Sequence, residues 1–331
     1  MAFGMDKLLA ITDLAVTYRR SEGKESTALC GVSLDILQGE VIGVLGESGC
    51  GKTTLGLSIL RILPAEGRIV RGTALYHGAD LFRLAESRLE RIRGAEIAMV
   101  HQEPGIALHP VMRVGEQIGD VLRVHRGWPR GRCRDEVEAL LRLVRLEDTG
   151  RIYAAFPHEL SGGQRQRALI AMAVACRPAL VIADEPTASL DSTVQAEILD
   201  LFKELKTRFQ LSILWISHQP AVLAQIADRV VVIYAGRIVE EGMLKDVFQN
   251  PLHPYTKALL ESQPQSPAEA AAVPRPRLRV AGNERLDSAR LSRGCPFEPR
   301  CADHMEVCRT REPEEIYPET SRRVRCFKYG G

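Results

Sequence analysis

The stretch Gly46-Glu47-Ser48-Gly49-Cys50-Gly51-Lys52-Thr53-Thr54 follows the apolar run Val41-Ile42-Gly43-Val44-Leu45 and fits the pattern G-x-x-x-x-G-K-[ST]. This order predicts a buried strand, a glycine loop and a helix that begins near Lys52. Glycines let the backbone curl until successive N–H groups face inward as an anion nest, and the positive end of the helix dipole reinforces it. Phosphate is what such a cup holds. Lys52 would reach the β- and γ-phosphates of a nucleotide, and the Thr53 hydroxyl would hold the Mg2+ that bridges them. A chance glycine turn before a helix is the bland alternative, and only further motifs can displace it.

Upstream, Leu8 to Tyr18 alternates apolar and polar residues, and Val32-Ser33-Leu34-Asp35-Ile36 does so again. Both predict strands of an antiparallel β layer. Tyr18 ends the first, where an aromatic face could stack on a purine, although a lone aromatic at a strand end more often serves packing. Downstream, Val70 to Leu81 reads as strand and turn, followed by an amphipathic helix through Arg93 and a strand from Glu96 to Val100 that delivers Gln102. A glutamine there can place its amide oxygen on a metal and touch an attacking water; a solvated loop residue is the alternative. The segment from Glu103 to Pro157 changes character. Val137, Leu140, Leu141 and Val144 repeat at helical spacing within Arg134 to Leu146, so this reads as a helical insertion into an α/β core.

Leu160-Ser161-Gly162-Gly163-Gln164 then opens the apolar helix Ala168 to Cys176, with Ser161 as N-cap and two glycines leaving the helix start bare for an anion. Leu180-Val181-Ile182-Ala183 is an apolar strand ending in Asp184-Glu185, as expected of a buried parallel strand whose C-terminal end faces a ligand. Asp184 would hold Mg2+ through water, and Glu185 would polarise the water that attacks the γ-phosphate. Ser189-Leu190-Asp191 precedes a helix from Thr193 to about Arg208, and the strand Ser212 to Ser217 ends at His218, a candidate γ-phosphate contact.

These motifs, in this order, resemble the ATP-binding cassette (ABC) family from the first strand to about Gly242. The resemblance implies an α/β P-loop NTPase core with an antiparallel β layer and a helical subdomain. It makes Gly46 to Thr53 the Walker A motif, Gln102 the Q-loop, Leu160 to Gln164 the signature, Leu180 to Glu185 Walker B, Ser189 to Asp191 the D-loop and His218 the switch histidine. Gly46, Ser48, Gly49, Cys50, Gly51, Lys52, Thr53 and Thr54, with Gln102 and Asp184, would then bind ATP; Thr53, Gln102 and Asp184 would serve Mg2+; and Tyr18 would stack on adenine. Family members pair head to tail, so Ser161, Gly162, Gly163 and Gln164 would serve the ATP of a second ATPase subunit, expected to be a paralogue. Glu185, His218 and Gln102 would carry catalysis.

A narrower resemblance covers nearly the whole chain. Gly46 to Lys52, Leu108-His109-Pro110-Val111-Met112, Pro157 to Ser161, Tyr234 to Gly242 and Pro251-Leu252-His253-Pro254-Tyr255-Thr256 look like the ATP-binding subunits of oligopeptide, dipeptide and nickel importers. That group usually has Asn at His109 and Asp at Gln219. The implied partners are two transmembrane permease subunits and, indirectly, a solute-binding protein; the implied place is the cytoplasmic side of the inner membrane, peripheral to it. A soluble ABC ATPase with a redox-sensing iron–sulfur tail is the alternative.

Composition agrees with this class. The chain has 331 residues, is 45% hydrophobic and 26% charged, and carries a net charge of +2, so it can bury a substantial core and presents no global field for nucleic acid. Met1 to Arg20 has no basic-then-apolar leader pattern, and the most apolar stretch is broken by Arg177-Pro178, which predicts no membrane span. The expected division is 1–250 for the nucleotide-binding domain, with its helical subdomain at about 103–158, and 251–331 for a C-terminal extension in which a short helix to Leu260 precedes a linker from Gln263 to Pro276. Cys295, Cys301, Cys308 and Cys326 crowd that extension, in a stretch expected to be too short and loop-rich for a core of its own, where a metal could supply folding energy. Zinc and an iron–sulfur cluster both accept four thiolates, but neither short gap matches the C-x2-4-C pairs that zinc favours. The tail resembles the cysteine motif with which some peptide-importer subunits hold a [4Fe-4S] cluster.

Overall fold

The computed structural model describes residues 6–20, 25–262 and 294–330, so the expected linker from Gln263 to Pro276 lies outside the described residues. The first alternating run forms β1 (Lys7–Arg19), antiparallel to β2 (Glu25–Leu37). Its apolar phase slips between Ile11 and Leu14 because a bulge intervenes there, where Asp13 has φ 51° and donates its amide to Ser33 Oγ at 2.9 Å. The central motif unfolds as expected into β3 (Val41–Leu45), the loop, and α1 (Lys52–Ile59). β4 (Gly67–Tyr76) and β5 (Ala79–Asp80) complete a four-stranded sheet of order β2-β1-β4-β5.

After α2 (Glu86–Ile92) and β6 (Ile97–Val100), four helices occupy the expected insertion: α3 (Pro104–Ala107), α4 (Val114–Arg126), α5 (Arg130–Leu143) and α6 (Thr149–Ala154). The α5 helix starts four residues earlier than the apolar stripe predicts, because Pro129 opens it, and it stops before Arg145, which sits at φ 63°. α7 (Gly162–Val174), β7 (Leu180–Asp184), α8 (Ser192–Phe209), β8 (Ser212–Ser217), α9 (Pro220–Ile226), β9 (Arg229–Tyr234) and β10 (Arg237–Met243) follow. α10 (Leu244–Gln249) comes next, and the extension adds α11 (Pro254–Glu261), α12 (Val307–Thr310), β11 (Ile316–Glu319) and β12 (Arg322–Val324).

The second sheet has the order β11-β12-β10-β9-β3-β8-β7-β6. The strands β9, β3, β8, β7 and β6, with β6 at the edge, pair in parallel, and β3, β7 and β8 are buried throughout. Alternate residues feed two cores: Val41, Leu45, Ile213 and Trp215 face the helical side with Ile118, Leu141 and Phe202, whereas Ile42, Val44, Leu214 and Ile216 face the antiparallel layer with Leu9, Leu29 and Leu34. Being covered on both faces is what makes these strands read as unbroken apolar runs.

The extension departs from the expectation that it has no core. β12 pairs with β10 and so joins the main sheet, and Phe297, 2% exposed, packs against Tyr234 and Tyr255 at 5.2 and 5.5 Å between ring centroids. The segment borrows the core of the cassette, which a reading of its own residues could not reveal. No helix among the described residues is long and apolar enough to cross a membrane.

Candidate nucleotide site

Four neighbouring strands of the sheet end at one place. Lys52 follows β3, His218 follows β8, Asp184 ends β7 with Glu185 after it, and Gln102 follows β6, so adjacency in a parallel sheet converts four separate motifs into one cluster. The glycines make the loop possible. Gly51 takes φ 109° as N-cap of α1, and a Cβ on it would lie 2.6 Å from the Ala28 carbonyl oxygen; a Cβ on Gly46 would lie 2.4 Å from that of Ile233. Lys52 is 5% exposed and its Nζ donates to the carbonyls of Gly46 at 2.8 Å and Glu47 at 2.9 Å, so the ammonium folds back over the loop it is expected to serve. Tyr18 lies beside the start of the same helix, its hydroxyl 3.3 Å from Thr54 Oγ1.

The carboxylates are held in different ways. Asp184, 3% exposed, accepts from Thr53 Oγ1 at 3.2 Å, which brings the two expected Mg2+ residues together. Burial raises its pKa; the Thr53 bond opposes this, the neighbouring Glu185 charge adds to it, and His101 and Lys52 lower it. A cation at this spot would relieve that strain. Glu185 sits at φ 47°, its amide bonded to the Ile216 carbonyl at 3.0 Å, and this kink turns its side chain toward its neighbours. Its Oε2 meets His218 Nδ1 at 2.9 Å and accepts from Gln102 Nε2 at 3.4 Å. The three candidate catalytic residues therefore form one hydrogen-bonded group.

The signature residues lie elsewhere. Ser161 caps α7 with a reciprocal box: its Oγ accepts from the Gln164 amide at 3.2 Å, and Gln164 Oε1 accepts from the Ser161 amide at 3.1 Å. The Cβ position of Gly163 is 3.0 Å from Val194 and that of Gly162 4.0 Å from Leu190, so this helix start packs beside the loop that carries Asp191, the cap of α8. Among the described residues no hydrogen bond or ion pair joins Ser161 to Gln164 with Gly46 to Thr54.

The four C-terminal cysteines lie in the same extension, and the Cys295 amide donates to the Cys308 carbonyl at 2.8 Å. Burial pushes the Cys295 thiol up to about 11 and raises Cys301 and Cys326 as well. Yet among the described residues no group of three or more His, Cys, Asp or Glu side chains stands where it could hold a metal ion. The expectation of a metal centre in the extension is thus not supported, for an iron–sulfur cluster or for zinc.

Comparison with known proteins bears on the same residues. The family model for the ABC transporter matches 29–188, and that for the oligopeptide/dipeptide transporter C-terminal region matches 239–308. The oligopeptide transport ATP-binding protein OppD of Escherichia coli (strain K12) is 41% identical over 324 residues, covering 98% of this chain and 94% of the relative. The chain belongs to the ABC transporter family. The dipeptide transport ATP-binding protein DppD of Bacillus subtilis (strain 168) is 40% identical, over 98% of this ABC protein and 95% of the relative. Among solved structures, the dimeric ATP-binding cassette MJ0796 bound to ADP and Pi shares a TM-score of 0.64 and 28% identity, covering 71% of this chain and 98% of its own. The cbiO1 protein from Clostridium perfringens, part of the cbiONQ ABC transporter complex, gives 0.62 at 28% identity, over 74% and 92%. The chain is an ABC ATPase.

Several residues of this cassette escape a reading of motifs alone. Gln117 ties the loop after α3 together, accepting from the His109 amide at 2.8 Å and donating to the carbonyls of His109 at 3.0 Å and Met112 at 2.9 Å. The departure at His109 therefore leaves the backbone of that loop clamped. Gln219 stays the N-cap of α9, its amide bonded to Ser217 Oγ at 3.0 Å. Arg300 and Tyr255 reach Glu47 in the phosphate loop, and no spacing pattern signals a contact across 253 positions.

Proposed function

We propose that this chain is the ATP-hydrolysing subunit of an importer for oligopeptides or dipeptides. The observation that carries the chemistry is Glu185 held by His218 and Gln102 beside Lys52 and the Thr53–Asp184 pair. In this reading Gly46 to Thr54 cradle the phosphates, Thr53, Asp184 and Gln102 serve Mg2+, Tyr18 stacks on adenine, and Glu185 orients water. Ser161 to Gln164 serve the nucleotide of a second ATPase subunit packed head to tail; the likeness to a dimeric ATP-binding cassette supports this. Exposed Ile106 and Val111, 80% and 75% accessible around the clamped loop, suit docking to transmembrane permeases from the cytoplasmic face. The division at about residue 250 and the helical subdomain at about 103–158 belong to the same proposal.

The substrate class rests on the similarity to OppD and DppD over nearly the whole chain, extension included. Cys295, Cys301, Cys308 and Cys326 would hold a [4Fe-4S] cluster. What supports a cluster is the all-cysteine donor set and the likeness of its spacing to the cysteine motif of some peptide-importer subunits. When bound, such a cluster would cross-link the segments on either side of α12. Protein purified without oxygen is expected to carry about four irons per chain; iron-free protein overturns the assignment.

The test of transport is reconstitution with the permease pair in vesicles. Peptide-loaded binding protein should accelerate ATP hydrolysis and labelled dipeptide should accumulate. Hydrolysis indifferent to every peptide, with no accumulation, would sink the reading.

A further inference from the structure

Glu47 is held from outside the cassette. Both carboxylate oxygens accept from Arg300, Oε2 from Nη1 at 2.8 Å and Oε1 from Nη2 at 2.7 Å, a two-pronged pair. The Glu47 amide donates to Tyr255 Oη at 2.9 Å. Arg300 in turn is fixed: its side chain is 19% exposed, its guanidinium lies 5.7 Å from the Tyr234 ring centroid and 5.8 Å from that of Phe297, and its amide bonds to the Phe297 carbonyl at 3.0 Å. Phe297 is wedged among Tyr234, Tyr255 and His253. The extension thus presents a rigid aromatic base with one guanidinium aimed at the second residue of the phosphate loop.

The remaining internal bonds of that residue are provisional. Its carbonyl accepts from Lys52 Nζ at 2.9 Å and, loosely, from the Cys50 amide at 3.4 Å. When Lys52 turns to a phosphate it leaves the carbonyls of Gly46 and Glu47, and the loop loses two of its own ties at the moment it must hold shape. The contacts from Arg300 and Tyr255 do not compete with phosphate for Lys52 or for the amides at the start of α1. Neither has to break for that change.

We propose that Arg300, backed by Tyr255, is a positioning residue of the nucleotide site, through which the C-terminal extension keeps the phosphate loop shaped for ATP. This rests on the assignment of Gly46 to Thr54 as the ATP loop. The residues act through Glu47 and touch no reacting atom, so losing them weakens binding more than chemistry.

The experiment uses the full chain assembled with its partners. Arg300→Ala and Glu47→Gln should each raise the Kd and KM for ATP by about tenfold, with kcat changed by less than about twofold. The double variant should be no worse than either single, since both remove one interaction. Arg300→Lys should recover part of the affinity, and Tyr255→Phe should show a smaller rise of the same kind. Unchanged ATP affinity in Arg300→Ala, additive losses in the double variant, or a fall in kcat with KM intact would each overturn the proposal. Lys52→Ala separates this from the underlying assignment. If it abolishes ATP binding while Arg300→Ala does nothing, only the positioning role fails; if it binds ATP normally, the site itself is misassigned.

Discussion

The two sides of the main sheet are built on opposite principles. On the parallel side, β3, β8, β7 and β6 are apolar along their length and carry their polar residues only at their ends, where Lys52, His218, Asp184, Glu185 and Gln102 meet. On the antiparallel side, charges are buried within the strands. Glu240 of β10 is fully buried and pairs with Arg322 of β12 at 2.7 Å, while Arg229 of β9 bonds Glu40 at 2.7 Å and also reaches Glu241, which in turn accepts from Arg323 Nε at 2.6 Å. Apolar strands pack against many neighbours equally well, and their order comes from the crossover helices. A buried carboxylate must be compensated by a nearby cation, so the antiparallel side selects a particular arginine from a segment about eighty positions away. The first design leaves strand ends free for chemistry; the second attaches an extension in one register.

The largest effect is expected on the parallel side. Glu185→Gln preserves the side chain's shape and its hydrogen bond to Gln102 or His218, but removes the carboxylate that polarises water. ATP hydrolysis should fall by about 10²–10⁴-fold while ATP binding persists, measured as single-turnover hydrolysis against nucleotide retained. Stability should barely change, because the strand ends contribute little to the core. An unaltered rate would move the water-positioning role to another residue and break the claim that these strand ends converge for chemistry.

The antiparallel side should respond in the reverse sense. Arg322→Ala leaves Glu240, with the amides of Leu252 and His253 on it at 2.9 Å each, as an uncompensated buried charge. The cost should be about 3–5 kcal/mol of unfolding free energy, read from urea midpoints, and protease should cut the extension first. ATP hydrolysis by the surviving folded protein should stay close to normal. A loss under about 1 kcal/mol would mean that β12 is held by its backbone ladder and not by the pair.

This contrast also explains what could be read from the chain. Strand Leu180 to Asp184 and strand Ser212 to Ser217 announce themselves as apolar runs, and the glycine loop between β3 and α1 by its spacing, because each signal is local. Parallel order then brings their ends together without further information. β12 is invisible by the same logic: Arg322-Arg323-Val324 looks like surface chain, and it becomes a strand only because Glu240 and Glu241 wait for it. Phe297 and Arg300 are likewise mute until the Tyr234 and Tyr255 rings are in place. The cysteines lie between these cases, for their number is legible but their spacing in the fold is not.

The smallest effect, and the finest probe of the antiparallel side, is pH. His253 is 2% exposed, and its Nδ1 accepts from the Tyr255 amide at 3.0 Å, which caps α11. Burial drives its pKa from 6.5 down to about 4, against a weaker opposing pull from the Arg325 backbone. The folded state thus refuses a proton that the unfolded chain accepts at about pH 6.5. Between those two values the unfolded state binds more protons, so stability is complete above about pH 6.5 and is lost as pH falls toward about 4. A drop from about pH 6.5 to about pH 5 should remove about 2 kcal/mol through this residue alone. His253→Asn supplies a neutral cap acceptor without a titrating ring, so it should be less sensitive to acid than the parent by that amount. Comparing urea midpoints of the two proteins at about pH 7 and about pH 5 cancels the titration of every other group. Equal acid sensitivity in both would show that water reaches His253, and the antiparallel side would then be less dry than its buried charges imply.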